Sequence, residues 1–254
     1  MDVDNLFKGK LFEMEMENYQ EGFVKFLADS GILFFREGLV LKDGRPTPYF
    51  FNAGNVLDSS KNLATLSDSY ASMIKGVMAK GLEVDTLFGP AYKGIALAVG
   101  AAQSLWRNDG INLGVVYDRK EEKTHGEGST SANLFVGNFP PDARTYLIDD
   151  VLTSARTKLD ALSKIESLGR SDISVFRVGI AFDREQVNLE GRNAVYDFTQ
   201  KTGIPVDSIV GARDAMRFLF ELRHPLTING VKQSMPQNVY NDFQRYMDKY
   251  GARE

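Results

Sequence analysis

Short apolar runs and amphipathic stretches alternate along the middle of the chain. The apolar runs have the length of buried strands and occupy residues 84–88, 113–117, 146–149, 173–182 and 206–210. Between them, apolar residues recur every three or four positions, which predicts helices over residues 93–107 and 159–168 and a short helix before the last strand. Strands that alternate with helices indicate an α/β fold whose sheet is mostly parallel and twisted, with helices on both faces.

A different pattern precedes this region. From Tyr19 the apolar positions follow helical spacing, and a long second helix is predicted from Ser60. Between the two helices, apolar and aromatic runs flank Asp43 and Gly44, which predicts a strand–loop–strand element. This element is too small for a domain, so residues 20–55 are predicted to form a hood on the main domain.

The end of the chain carries one more helical pattern. Its apolar positions are Val239, Phe243, Tyr246, Met247 and Tyr250. They predict a C-terminal helical extension over residues 220–254 that packs on the domain or on a partner. A chain of 254 residues with 43% hydrophobic and 25% charged residues can bury one sizeable core, so residues 1–254 are predicted to form a single domain.

Charge and composition exclude several classes of function. Thirty basic residues against 34 acidic residues give a net charge of −4, which removes the broad attraction that nonspecific nucleic-acid binding needs. The absence of cysteine excludes disulfides, thiol nucleophiles and thiolate metal sites, and two histidines are too few for a His-rich metal site. The sequence shows no cationic leader and no apolar run of about 18 residues, so we expect no membrane contact and a cytoplasmic location.

Ligand chemistry is expected at the carboxyl ends of the predicted strands, where parallel sheets bind their ligands. In residues 146–157, an apolar strand ends in Asp149 and Asp150 and continues through a hydroxyl-rich turn into a helix. Hydroxyls, backbone N–H groups and a helix N-terminus bind phosphate, whereas carboxylates accept hydrogen bonds from vicinal sugar hydroxyls. A ribose phosphate satisfies both requirements. The alternative is that the two aspartates only cap the helix.

This segment resembles the ribose-phosphate motif of the type I phosphoribosyltransferases. Four other stretches resemble the orotate phosphoribosyltransferases, in matching order: residues 41–54, 88–94, 119–128 and 182–185. The resemblance implies an α/β sheet with a hood. It also implies transfer of the phosphoribosyl group from 5-phosphoribosyl 1-diphosphate to orotate, which gives orotidine 5-phosphate and diphosphate in pyrimidine synthesis. Two further implications are Mg²⁺ held mainly by substrate and water, and a homodimer in which a mobile loop closes over the neighbouring subunit's site.

Residues 118–128 are the counterpart of that mobile loop. The resemblance assigns Arg119, Lys120, Lys123 and His125 to the diphosphate. Lys123 and His125 are the candidates for stabilising the leaving group, and Asp149 and Asp150 complete the predicted catalytic set. On its mixed charges alone, the loop would be a solvated surface loop.

Other positions are assigned to the substrates by the same resemblance. The diphosphate contacts are Lys42, Tyr92 and Lys93, the phosphate turn is Thr153, Ser154, Ala155, Arg156 and Thr157, and the base contacts are Phe50, Phe51 and Arg184. Thr153 would lie between base and ribose. The alternatives are a surface helix that begins at Lys93 and core packing of the two phenylalanines.

The phosphate turn departs from the family pattern of threonine, a small residue, glycine and a hydroxyl residue. Ala155 stands in place of the glycine, and Arg156 stands in place of the hydroxyl residue. A cation at the start of a helix opposes the helix dipole at a cost of about 0.3–1 kcal/mol. A charge-assisted contact to phosphate contributes about 1.5–3 kcal/mol, which is more. Because the phosphate contact contributes more free energy than the helix dipole costs, Arg156 is predicted to face the 5-phosphate.

Two other functions agree with parts of the sequence. A non-catalytic regulator that senses 5-phosphoribosyl 1-diphosphate is suggested only by the altered turn. The basic loop opposes it, because a sensor needs no leaving-group machinery. A phosphoribosyltransferase for a purine base would share the fold, and Phe50, Phe51 and Arg184 favour orotate instead.

Overall fold

The computed structural model describes residues 16–41, 43–120, 134–152 and 156–252. Its helices are α1 (Asn18–Asp29), α2 (Ser60–Ala79), α3 (Lys93–Asp109), α4 (Arg156–Glu166), α5 (Ala194–Thr202), α6 (Ala212–Glu221) and α7 (Gln237–Tyr250). Its strands are β1 (Leu33–Val40), β2 (Pro46–Phe51), β3 (Thr86–Phe88), β4 (Gly114–Asp118), β5 (Phe135–Val136), β6 (Arg144–Asp149), β7 (Ser174–Asp183), β8 (Val206–Gly211), β9 (Leu226–Ile228) and β10 (Val231–Gln233). None of these helices combines the length and the apolar composition that crossing a bilayer requires.

The main sheet has the strand order β5-β4-β3-β6-β7-β8 and is parallel except for β5, which runs antiparallel to β4. Its central strand β6 is an apolar run because both of its faces are covered. Tyr146 and Ile148 lie in the core formed with α2 and α3, and Leu147 lies in the core formed with α4 and α5. The predicted α/β fold with helices on both faces is confirmed.

The hood is a separate four-stranded sheet in the order β10-β9-β1-β2. The predicted strand–loop–strand element is present as the antiparallel pair β1 and β2, in which Leu33 lies opposite Phe51. The other two strands come from the end of the chain: β9 runs parallel to β1, with Phe34 opposite Thr227, and β10 pairs with β9. The predicted C-terminal extension is therefore helical only in part. The pattern of the sequence did not predict β9 and β10, because three-residue strands are too short to show an alternation of apolar and polar residues.

The last helix, α7, packs on the hood. The ring of Tyr49 in β2 lies 5.6 Å from that of Phe243 and 6.0 Å from that of Tyr246. Beyond α7, the Ala252 N–H donates to the Glu185 carbonyl at 2.8 Å. The end of the chain thus contacts both the hood and the segment that follows β7.

Candidate active site

The carboxyl ends of β3, β4, β6 and β7 meet at one edge of the main sheet, because these four strands are parallel. The strands end at Phe88, Asp118, Asp149 and Asp183. The residues that follow them include the sequence-predicted Tyr92, Lys93, Arg119, Lys120, Asp150 and Arg184. The fold therefore brings these six predicted site residues to a single edge of the main sheet.

Asp149 and Asp150 are both buried, and each has a lysine as its charged partner. Asp149 forms an ion pair with Lys158, and Asp150 accepts a hydrogen bond from the Lys93 ammonium at 2.6 Å. The Asp149 carboxylate also accepts from the Asp150 N–H at 2.9 Å. Two buried carboxylates, each with a cationic partner, fit a ligand site better than a simple helix cap.

Burial raises the pKa of Asp149, and the attraction of Lys158 opposes that rise. A carboxyl whose pKa is higher in the folded state binds its proton more tightly there. Its ionisation therefore lowers the stability of the fold as the pH rises above the ordinary value of 3.8. The buried Asp149 carboxylate thus lowers the free energy of unfolding, and Lys158 makes this loss of stability smaller.

The turn from β3 to α3 places Lys93 beside Asp150. A Cβ atom on Gly94 would lie 2.6 Å from the Pro90 ring and 2.9 Å from the Ile148 carbonyl oxygen, and one on Gly89 would lie 2.1 Å from the Gly94 carbonyl oxygen. Both glycines are needed because backbone packs directly on backbone here. This close approach lets α3 start against the end of β6.

The first residues of the predicted loop adjoin the same turn. Asp118 is buried, accepts a hydrogen bond from the Ala91 N–H at 2.6 Å, and pairs with Lys164 of α4. The Lys120 ammonium lies 5.3 Å from the centre of the exposed Tyr92 ring. Arg119 follows Asp118 directly, so these basic residues begin the loop at the edge of the site.

Arg184 occupies a buried position at the start of the segment after β7. Only 8% of its surface is exposed, and its guanidinium group lies 5.1 Å from the centre of the Tyr49 ring. One Nη atom lies 3.5 Å from the Thr47 hydroxyl, and the Nε atom has no hydrogen-bond partner among the described residues. A buried guanidinium with a free donor is suited to a carboxylate or carbonyl group of a ligand.

The two predicted hood phenylalanines lie on opposite faces of β2. Phe51 is buried and stacks on Phe182, with ring centres 5.0 Å apart and an interplanar angle of 9°. Phe50 is half-buried, 6.0 Å from the ring of Phe34. Core packing accounts for the position of Phe51.

The described part of the phosphate turn begins at α4. Arg156 is its first residue, with 87% of the side chain exposed and its Nε atom 4.0 Å from the Asp160 carboxylate. Thr157 is also exposed. Six predicted site residues lie outside the described residues: Lys42, Lys123, His125, Thr153, Ser154 and Ala155.

Sequence reasoning missed two lysines of α4, Lys158 and Lys164. Both pair with aspartates that end strands of the main sheet. For Lys158 a signal existed, because it shares a helical stripe with the buried Ala161 and Ile165. A charged residue in such a stripe requires a buried partner.

Comparison with known proteins identifies relatives of this chain. No protein-family model matches the chain. The chain is 36% identical to the orotate phosphoribosyltransferase of Methylococcus capsulatus over 204 residues, which cover 80% of this chain and 90% of that protein. It is 35% identical to the enzyme of Chromohalobacter salexigens over 244 residues, which cover 94% and 97%.

Solved structures give the same result. The crystal structure of orotate phosphoribosyltransferase from Francisella tularensis matches with a TM-score of 0.73 and 28% identity, and the match covers 91% of this chain and 100% of that chain. Sequence and structure agree over most of the chain's length. The chain therefore belongs to the orotate phosphoribosyltransferase family.

Proposed function

We propose that the carboxyl edge of the main sheet transfers the phosphoribosyl group from 5-phosphoribosyl 1-diphosphate to orotate, giving orotidine 5-phosphate and diphosphate. One observation carries the assignment: two buried carboxylates, each paired with a lysine, adjoin a buried arginine with a free donor. The backbone joins the two parts, because the Asp150 carbonyl accepts from the Ala181 N–H at 2.9 Å, three residues before Arg184. The relatives favour neither the sensor nor the purine transferase.

The carboxylates suit a sugar that becomes cationic. As the ring nitrogen of orotate bonds to the anomeric carbon, the bond from that carbon to the diphosphate oxygen breaks, and positive charge develops on the sugar. Asp149 and Asp150 hold negative charge in a buried place, where it stabilises the transition state more than it would in water. They also accept hydrogen bonds from the ribose hydroxyls.

Lys93 is proposed to move from Asp150 to the diphosphate. Its side chain is 58% exposed. An exposed ammonium exchanges one anionic partner for another at little desolvation cost. The exchange would free Asp150 for the ribose hydroxyls when the substrate binds, so that Lys93 contacts the leaving group and Asp150 the sugar.

Mg²⁺ is proposed as the cofactor. The described residues contain no group of three or more His, Cys, Asp or Glu side chains that could hold a metal ion. The proposed Mg²⁺ is bound mainly by diphosphate oxygens and water, as this ion prefers. When bound, Mg²⁺ would neutralise negative charge on the leaving diphosphate.

The reaction is tested with purified protein, 5-phosphoribosyl 1-diphosphate and Mg²⁺, with orotate or hypoxanthine as the base. The fall in orotate absorbance and the release of diphosphate are measured. Turnover of orotate alone is expected. Turnover of hypoxanthine alone would identify a purine transferase, and binding of 5-phosphoribosyl 1-diphosphate without turnover of either base would identify a sensor.

A homodimer with a loop supplied in trans is also proposed. Mixing Lys123→Ala protein with Asp150→Asn protein is expected to restore part of the activity that each lacks. Hybrid dimers would contain one site with an intact loop and intact carboxylates. Diphosphate release is measured after subunit exchange, which mass spectrometry of an isotope-labelled partner verifies. If subunits exchange and no activity returns, each site is built within one chain.

Arg156 is expected to contact the 5-phosphate. Arg156→Ala should raise the KM for 5-phosphoribosyl 1-diphosphate by about 10–100-fold and leave the KM for orotate nearly unchanged. Initial rates with each substrate varied separately measure both constants. Arg245→Ala is the control, because Arg245 is also an exposed helical arginine beside an acid of its own helix. Unchanged kinetics in Arg156→Ala would leave Arg156 as a surface residue.

A further inference from the structure

Lys158 is a buried lysine in a stripe of α4 that otherwise packs into the core. Only 6% of its side chain is exposed. Its ammonium donates hydrogen bonds to the Asp149 carboxylate and to the Val151 carbonyl oxygen. A buried ammonium requires such partners because it has lost its hydration. Since Asp149 and Val151 flank Asp150, one ammonium holds the Asp149 side chain on one side of this residue and the Val151 backbone on the other.

The two lysine–aspartate pairs of the site differ in exposure. Lys93, the partner of Asp150, is 58% exposed, whereas Lys158, the partner of Asp149, is almost fully buried. An incoming polyanion can draw the exposed lysine away from its aspartate, whereas moving the buried lysine would break its hydrogen bonds to Asp149 and Val151. Of these two lysines, Lys93 can therefore exchange its partner, and Lys158 stays with Asp149.

We propose that Lys158 is a positioning residue of the phosphoribosyl site, which fixes the Asp149 carboxylate and the start of the phosphate turn while Lys93 moves to the substrate. The inference deepens the proposed function and rests on it. Lys158 contacts no substrate in this role. It acts through Asp149 and through the Val151 carbonyl, from which the backbone leads into the phosphate turn.

Three groups face Asp149 and define its charge. Lys158 faces it from α4, Asp150 follows it in the chain, and the Tyr70 hydroxyl of α2 donates to its backbone carbonyl at 2.7 Å. Asp150 in turn faces Lys93. Burial and Asp150 raise the pKa of Asp149, and Lys158 opposes them. Without the Lys158 ammonium, Asp149 keeps its proton to higher pH.

The test compares Lys158→Met with wild type across pH, since methionine has a similar length and no charge. The kcat/KM for 5-phosphoribosyl 1-diphosphate is expected to fall about tenfold or more. The acid limb of its pH profile is expected to move upward by about one pH unit or more. Lys158→Arg should keep the limb near the wild-type position. Lys201→Met, which removes an exposed lysine paired with Asp197 on α5, should change neither quantity.

A second variant separates positioning from simple stabilisation. In Asp149→Asn/Lys158→Met both charges are absent, so the melting temperature should recover relative to Lys158→Met while kcat/KM stays low. Recovery of kcat/KM to the wild-type value would overturn the proposal, as would an unmoved acid limb in Lys158→Met. If Lys158→Met does not fold, Lys158→Gln, which keeps a donor and removes the charge, takes its place, and an acid limb at the wild-type position would again overturn the proposal. Wild-type turnover of orotate in the same buffers tests the proposed function separately.

Discussion

Asp150→Asn is expected to lower kcat by about 10²–10³-fold, the loss typical of removing one group that stabilises charge in a transition state. Asparagine keeps the shape of the side chain and removes the negative charge that faces the cationic sugar. The KM for orotate should change little, because the proposed base contacts belong to the hood and to the segment after β7. Steady-state kinetics with both substrates measure the effect.

The fold should tolerate Asp150→Asn because its partner, Lys93, is exposed and returns to water. Asp109→Asn is the matched control. Asp109 binds the Lys75 ammonium at 2.8 Å, in a pair between α3 and α2 away from the carboxyl edge of the sheet. That variant should keep the wild-type kcat. A wild-type kcat in Asp150→Asn would show that Asp150 does not act on the sugar.

Arg184→Met is expected to raise the KM for orotate by about 10–100-fold, since a hydrogen bond from a charged group contributes about 1.5–3 kcal/mol. Methionine fills the space over the Tyr49 ring without offering a donor. The KM for 5-phosphoribosyl 1-diphosphate should stay near the wild-type value. Initial rates at varied orotate, with the other substrate saturating, give the constant.

Arg177→Met is the control for this arginine. Arg177 lies in β7, the strand that precedes Arg184, and binds the Asp207 carboxylate with two hydrogen bonds of 2.6 and 2.7 Å. Its removal should lower the melting temperature, because Asp207 is left half-buried without its cation, and should leave the KM for orotate unchanged. Equal rises of that KM in both variants would show that general loosening, not loss of a base contact, is responsible.

The strands of the main sheet could be predicted because burial on both faces requires continuous apolar runs, such as the one that β6 contains. The strands β5, β9 and β10 could not. They have two or three residues each and exist because a neighbouring strand offers a free edge. Such a free edge arises only when the chain folds, so the local pattern of apolar and polar residues does not predict the strand that pairs with it. The hood was therefore predicted with half of its strands.

The candidate site also contains some residues that could be predicted from the sequence and others that could not. Asp149, Asp150 and Arg184 follow strand ends, so sequence order was enough to find them. The roles of Lys158 and Lys164 depend on which aspartates lie across the helix, and this is decided only when α4 packs on the sheet. Ion pairs between elements have no spacing rule comparable to the i,i+4 rule within a helix.

The pairing of β9 with β1 determines when the enzyme can be completed during translation. Phe34 emerges from the ribosome long before its neighbour Thr227 is synthesised. A nascent chain that ends before β9 already contains the strands and carboxylates of the main sheet, yet its hood has only β1 and β2. Contacts of such large sequence separation form late. This half of the hood is thus assembled after the main sheet, and a chain that terminates before β9 lacks it.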